Sequence, residues 1–389
     1  MFQTINVAVP NVVFGMDSVQ NVGQEAAKLG AKRALLLSGP NIEKSGSLEA
    51  VAQSLRGEGI ECVVRIEARS TVEPTAQSAE EVAAFAKDEG TDCVIGFGGG
   101  SVMDVAKMAS ALVTNPGRAA DYFGIDKIPK RGLPTIMIPT TSGTGTEVTR
   151  YAVLLDAESN VKKVAASKVL LPSASIIDPK LTVSCPPSVT ANTGIDAFMH
   201  VAEPFVSTLA NPITDSMAIS AMEMISKWIG KAYAKGDDLN ARYYMSMGSL
   251  MSGIIMNNTG TSIVHALSYP IGGEFHINHG RALTPIMRAC FEFIMPAVED
   301  KFYIMAKALG EKVDHLSTRE GALLCLDALE HMCERLELPT RMEDAGITDK
   351  SGIDRWAVDA YAERRLLSRS ARDLTVEDIK KIYHASFRN

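Results

Sequence analysis

Through the first half of this chain, β-branched and aliphatic runs alternate with stretches of helical periodicity, and beyond residue 185 the alternation stops. RALLLSG (33–39), ECVVRIE (61–67), DCVIGFGGG (92–100) and TIMIP (135–139) are separated by helix-like segments at 44–57, 76–88 and 101–114. That succession predicts a parallel sheet with helical crossovers, because parallel neighbours cannot be joined by a tight turn. After the Pro-Pro pair at 186–187, segments such as 213–229 and 318–336 keep a helical period, and no convincing strand follows. The expected architecture is an α/β domain with a parallel, Rossmann-like sheet over 1–185 and an all-helical domain over 186–389.

A chain of 389 residues has room for such a pair, each with a full core. Hydrophobic residues at 46% and charged residues at 22% describe a soluble globular enzyme rather than a disordered or fibrous chain. The net charge is −7 and the basic residues are scattered among acids. No Lys/Arg run is available to neutralise a nucleic-acid backbone or an anionic membrane, so neither is an expected partner. The six cysteines lie far apart without CxxC spacing and read as reduced thiols. No apolar run approaches a membrane span, and MFQTINVAVP lacks the basic-then-apolar order of an export signal. A cytoplasmic location is expected.

Two clusters of small residues follow predicted strands. GFGGGS (96–101) sits between an apolar run and a helical stretch, the strand-turn-helix setting in which backbone amides and the helix N-terminus accept a pyrophosphate. A tight turn is the plain alternative for glycines alone. PTTSGTGTEVT (139–149) packs five threonines and a serine after TIMIP, at the carboxyl end of a parallel strand where such sheets bind ligands. Asp121 has the spacing of a ribose-binding acid, but it lies in the polar loop PGRAADYFG, and the match reads as coincidence.

Metal-ligand chemistry concentrates between 196 and 279. Asp196 and His200 are four residues apart and leave a helix from the same face. His265 and His279 would close the site from neighbouring elements. Three neutral imidazoles and one carboxylate suit Fe²⁺ or Zn²⁺ and leave a coordination position for a substrate oxygen. His315, His331 and His384 lie in charged helical segments and read as surface residues.

GGGSVMDVAK (98–107), PTTSGTGTEVT, GIDAFMHVAEPFVS (194–207) and HALSYPIGGEFHINHG (265–280) resemble, in order and spacing, the signatures of the iron-containing (group III) alcohol dehydrogenases. The resemblance runs nearly end to end. It implies a dehydroquinate synthase-like architecture, in which NAD(P) and metal lie in a cleft between an α/β domain and a helical one. It also implies that Asp196, His200, His265 and His279 ligate iron, with Zn²⁺ as the other candidate. Gly98, Gly99, Gly100 and Ser101 would hold the pyrophosphate with Asp104 close by, and Thr140, Thr141, Thr144 and Lys163, or Lys162 in an adjacent register, would line the rest of the cofactor. The activity implied is hydride transfer between a nicotinamide and a short-chain alcohol or aldehyde. A non-redox metalloenzyme of the dehydroquinate synthase-like branch is the alternative. Members commonly form dimers or higher assemblies, and INVAVPNVVFG could pair across a two-fold axis.

Three departures from the family pattern bear on function. Tyr269 stands where many members carry a proton-relaying histidine, which leaves His276, Tyr269 or water to carry protons. At the end of the first strand, Gly39 replaces the acid that NAD-selective members place against the ribose. That leaves NADP(H) open, while Glu73 restores a negative charge nearby and tips the reading to NAD(H). Finally, Arg150, beside Tyr151, and Arg281 and Arg288 lie close to motifs that face the expected cleft. Their guanidinium forks suit an anionic aldehyde such as sulfoacetaldehyde or succinic semialdehyde, and salt bridges are the plain alternative for Arg281 and Arg288.

Overall fold

The computed structural model of the protein describes residues 4–67, 74–156 and 161–388. These fall into two compact units, Ala8–Cys185 and the chain from Pro186 onward, and the N-terminal segment up to Val7 groups with the second. Each unit has its own core.

In the first unit, β1 (Asn11–Phe14), β2 (Arg33–Ser38), β3 (Glu61–Ile66), β4 (Cys93–Gly98), β6 (Thr135–Pro139) and β9 (Ala174–Ile177) form one sheet in the order β1-β9-β6-β4-β2-β3. All its pairings are parallel. β5 (Gly124–Ile125), β7 (Tyr151–Asp156) and β8 (Val161–Ala166) make a second, small sheet, in which β7 and β8 run antiparallel. The helices are α1 (Val22–Lys28), α2 (Pro40–Ser45), α3 (Ser47–Gly57), α4 (Ala76–Asp88) and α5 (Gly100–Thr114).

Alternation along β2 shows why both faces of the main sheet are covered. Leu35 and Leu37 pack with Val82 of α4 and Met103 of α5, while Ala34 and Leu36 pack with Val22 of α1 and Leu55 of α3. Two expectations are refined. The helix expected at 44–57 is split at Gly46, whose φ of +75° takes the left-handed turn between α2 and α3. The antiparallel β7–β8 pair is not among the strands that the alternation predicts. NVVF of the N-terminal stretch forms β1, the edge strand of the main sheet, paired with β9.

From Pro186 onward the described residues contain helices and no strand. They are α6 (Pro187–Phe205), α7 (Pro212–Ala234), α8 (Leu239–Thr259), α9 (Ile263–Glu274), α10 (His279–Ile294), α11 (Glu299–Ala308), α12 (Thr318–Arg335), α13 (Ile353–Ala362), α14 (Arg364–Leu367) and α15 (Val376–Ala385). Helix α6 is the central one, with Ile195, Phe198, Met199, Val201 and Ala202 all in the core. A helix apolar on nearly every side is buried on every side, so polar groups on α6 must find partners inside the protein. No described helix is long and apolar enough to cross a membrane.

Candidate active site

The ionisable groups on α6 are Asp196, His200 and Glu203, at helical spacing on one face and all buried. His265 enters from the first turn of α9, and His279 is the first residue of α10. Three imidazole nitrogens converge on a single carboxylate oxygen. From Asp196 Oδ1 it is 3.4 Å to His200 Nε2, 3.6 Å to His265 Nε2 and 3.5 Å to His279 Nε2. The rings of His200 and His265 stack at 4.9 Å, and His279 lies 5.2 Å from His265.

These distances fit a cation. Ligands roughly 2.1 Å from an ion in tetrahedral array stand about 3.4 Å from one another. The four donor atoms all lie within 4.8 Å of each other, and neither Asp196 Oδ1 nor His265 Nε2 has a hydrogen-bond partner despite being buried. A buried acceptor left unsatisfied is costly, and an ion would satisfy both atoms. His279, with 39% of its side chain exposed, marks the open side.

Electrostatics favour positive charge here. Burial alone would raise the pKa of Asp196, but His200, His279 and His265 hold its carboxyl well below the usual carboxylate range. Burial likewise opposes charge on His265, and against it Glu203 and Asp196 raise its pKa to about 9. The same two carboxylates would attract a metal ion.

Glu203 is absent from the expected site. Its carboxylate meets His265 Nδ1 directly, and it also accepts from the backbone N–H of Val264 at 2.6 Å. Its place seven residues after Asp196 on a helix was the available signal.

Tyr269 follows His265 by one turn, and its ring lies 6.0 Å from that of His279. Burial holds the phenol well above its ordinary pKa, with Arg365 opposing, so it is a hydrogen-bond donor at neutral pH. His276 is exposed in the loop before α10 with a left-handed φ of +52°. The arginines part company. Arg288 is bound by Glu292, Asp327 and Glu330 at 2.7–3.0 Å, and Arg281 reaches the Glu337 carbonyl at 3.4 Å. Both act between helices of their own unit. Arg150 lies over the ring of Tyr151 at 5.9 Å.

In the first unit, the glycine loop joins β4 to α5 beside β2, where chain order reverses across the sheet. Ligands of open α/β sheets bind at that kind of switch point. Gly99 caps α5 with no side chain in the way, leaving the first-turn amides without intrahelical acceptors. A Cβ on Gly100 would come within 2.8 Å of Thr144, and one on Gly99 within 3.8 Å of Thr141. The Thr140 N–H donates to the Gly98 carbonyl at 3.0 Å. The glycine and threonine loops therefore form one surface, to which Gly39, at the end of β2, is adjacent.

Two expected cofactor residues have partners within the first unit. Asp104 is buried, accepting from Val153 N–H at 3.1 Å and lying 3.4 Å from the buried ammonium of Lys107. It ties α5 to β7. Lys163 on β8 pairs with Asp156 at 2.7 Å. Glu73 lies outside the described residues.

The iron-containing alcohol dehydrogenase family model matches residues 10–179, and the model of that family's C-terminal region matches 190–387. A long-chain-alcohol dehydrogenase of Geobacillus thermodenitrificans is 38% identical over 98% of each chain. Among solved structures, a 1,3-propanediol oxidoreductase superposes with a TM-score of 0.94 at 31% identity, covering 99% of this chain and 100% of its own. A sulfoacetaldehyde reductase from Bifidobacterium kashiwanohense, in complex with NAD⁺, gives 0.87 at 25% identity over 99% of both.

Proposed function

Because this chain belongs to the iron-containing alcohol dehydrogenase family, we propose that Asp196, His200, His265 and His279 hold its divalent ion and that Gly98–Ser101 with Thr140, Thr141 and Thr144 hold NAD(H). The protein is an NAD-linked oxidoreductase of alcohols and aldehydes. The convergence of three imidazoles on Asp196 Oδ1 carries the metal assignment. Bound there, Fe²⁺ or Zn²⁺ supplies a Lewis acid that polarises a substrate oxygen. The four side chains orient that centre, and the amides of α5 fix the cofactor by its pyrophosphate.

For substrate we propose a short-chain aldehyde or alcohol, with Arg150 and Tyr151 reading its far end. A guanidinium beside an aromatic ring favours an anionic group such as a sulfonate or carboxylate. Arg281 and Arg288 hold partners of their own unit, and the ring of Tyr151 beside the Arg150 guanidinium supports that role for Arg150. The test is NADH oxidation by metal-loaded protein with charged and neutral short aldehydes. Stoichiometric NADH consumption is expected, and none at all would favour the non-redox reading. Arg150→Ala is expected to lower kcat/KM about tenfold or more for charged aldehydes only, the worth of one charge-assisted hydrogen bond. Equal losses on both classes would remove the anion role.

Proton delivery we assign to His276, with Tyr269, near His279, as a hydrogen-bond donor. Exposure gives His276 access to bulk water, and an imidazole can both accept and donate a proton. In His276→Asn the pH–rate profile is expected to change. An unchanged profile would dispose of the relay. We further propose a cytoplasmic homo-oligomer, a reading supported by the exposed Ile5, Val7 and Val9 near the N-terminus.

A further inference from the structure

Helix α9 begins without the side-chain cap it would ordinarily have. Ser262 stands at its N-cap but makes no capping bond, and its buried hydroxyl has no partner. Glu203 does that work from α6. One carboxylate oxygen accepts from Val264 N–H at 2.6 Å and His265 N–H at 3.4 Å, and the other meets His265 Nδ1. The side chain is fully buried, so these contacts are held in a low-dielectric setting.

A carboxylate on Nδ1 decides which nitrogen of the ring carries the proton. With Nδ1–H donated to Glu203, Nε2 presents its lone pair, and Nε2 is the atom that points at Asp196 Oδ1 without a hydrogen-bond partner. Because the same carboxylate grips the two backbone amides that start α9, ring orientation and helix position are set together. We propose that Glu203 is a positioning residue of the metal centre, selecting the metal-ligating tautomer of His265 and locking its ring against α6. This rests on the metal reading above and adds to it a second buried anion beside Asp196.

Glu203→Gln tests this with little change of shape. A glutamine NH₂ facing Nδ1 can only donate to it, which moves the ring proton to Nε2 and blocks ligation. Affinity for Co²⁺ or Zn²⁺, measured by competition with a chelator, is expected to fall about 10–100-fold. If the Gln variant binds the ion as tightly as wild type, the role of Glu203 is overturned and the metal site stands. If wild type itself takes up no divalent ion, the metal reading falls and this inference with it. Should the Gln variant not fold, the wild-type protein decides. Nitrogen NMR of the Zn²⁺-loaded, histidine-labelled chain is expected to show His265 protonated at Nδ1, and a His265 lacking that proton would overturn the proposal.

Discussion

Asp196→Ala is expected to leave a folded protein that retains little metal and loses at least about 1000-fold in kcat/KM. Asp196 contributes the oxygen on which all three histidines converge, and no neighbouring carboxylate can replace it, because Glu203 faces the far nitrogen of His265. Three imidazoles would remain, but without the anion that compensates a dication's charge in a buried place. Lewis-acid catalysis is worth several kcal/mol of barrier, and each 1.36 kcal/mol is tenfold in rate, which sets the size of the loss. Folding is expected to survive, since the alanine removes a buried acceptor that has no hydrogen bond when the ion is absent. Metal analysis of protein purified without air, NADH-linked rates and NAD(H) binding together check this. Cofactor binding should be nearly untouched, because the glycine loop belongs to the other compact unit. A variant with wild-type turnover would end the metal assignment.

Gly280→Ala should weaken the site without touching a ligand. A Cβ at Gly280 would lie 1.9 Å from the Asn192 carbonyl oxygen and 2.7 Å from its carbon, both backbone atoms of α6. Those contacts fall more than about 1 Å short of normal separation, and no side-chain rotation relieves them. Helix α10 must therefore withdraw from α6. Overpacking of this sort costs about 1–3 kcal/mol, or about 2–10 °C in Tm for a unit of this size. The functional cost follows from position. Gly280 adjoins His279, and Asn192 lies one turn before Asp196, so the movement lengthens the 3.5 Å separation between His279 Nε2 and Asp196 Oδ1. Metal affinity is expected to drop about tenfold or more. Gly273→Ala is the control, because a Cβ there meets nothing within 4 Å. Indistinguishable Tm and metal affinity in the two variants would show that the α6–α10 contact does not hold the site.

Some of this site was legible in the sequence because its causes are local. Asp196 and His200 could be paired from spacing alone, since a helix turns them to one face. The glycine loop was legible from its place between a strand and a helix. His265 and His279 were separate candidates, linked with greater force by the order and spacing of family motifs. Glu203 lies inside one of those motifs, and its spacing from Asp196 signals the shared helix face but not the partner it meets. Its role depends on where α9 starts relative to α6, and no pattern within α6 records that.

The residues whose expected surroundings differ show the same divide. Asp104 has the right neighbourhood in sequence for a cofactor contact, but on α5 it turns inward to Val153 and Lys107. The family motif points to Lys163, or Lys162 in an adjacent register, and the β7–β8 pairing brings Asp156 within reach of Lys163. Arg288 looks available for an anionic substrate until α12 supplies Asp327 and Glu330. In each case a charged side chain took the partner that folding brought near, because a half-buried charge gains more from a close counter-ion than from water.

By itself, then, the chain determined what kind of elements form and which chemical groups they carry, through periodicities of two and of about 3.6 residues that operate over a few positions. Tertiary structure alone decided which groups meet. Bringing His265, His279 and Glu203 around Asp196 requires α6, α9 and α10 to pack at one register, and that register is chosen by side-chain volume at contacts such as Gly280 against Asn192, which are distant in sequence and invisible to any local pattern.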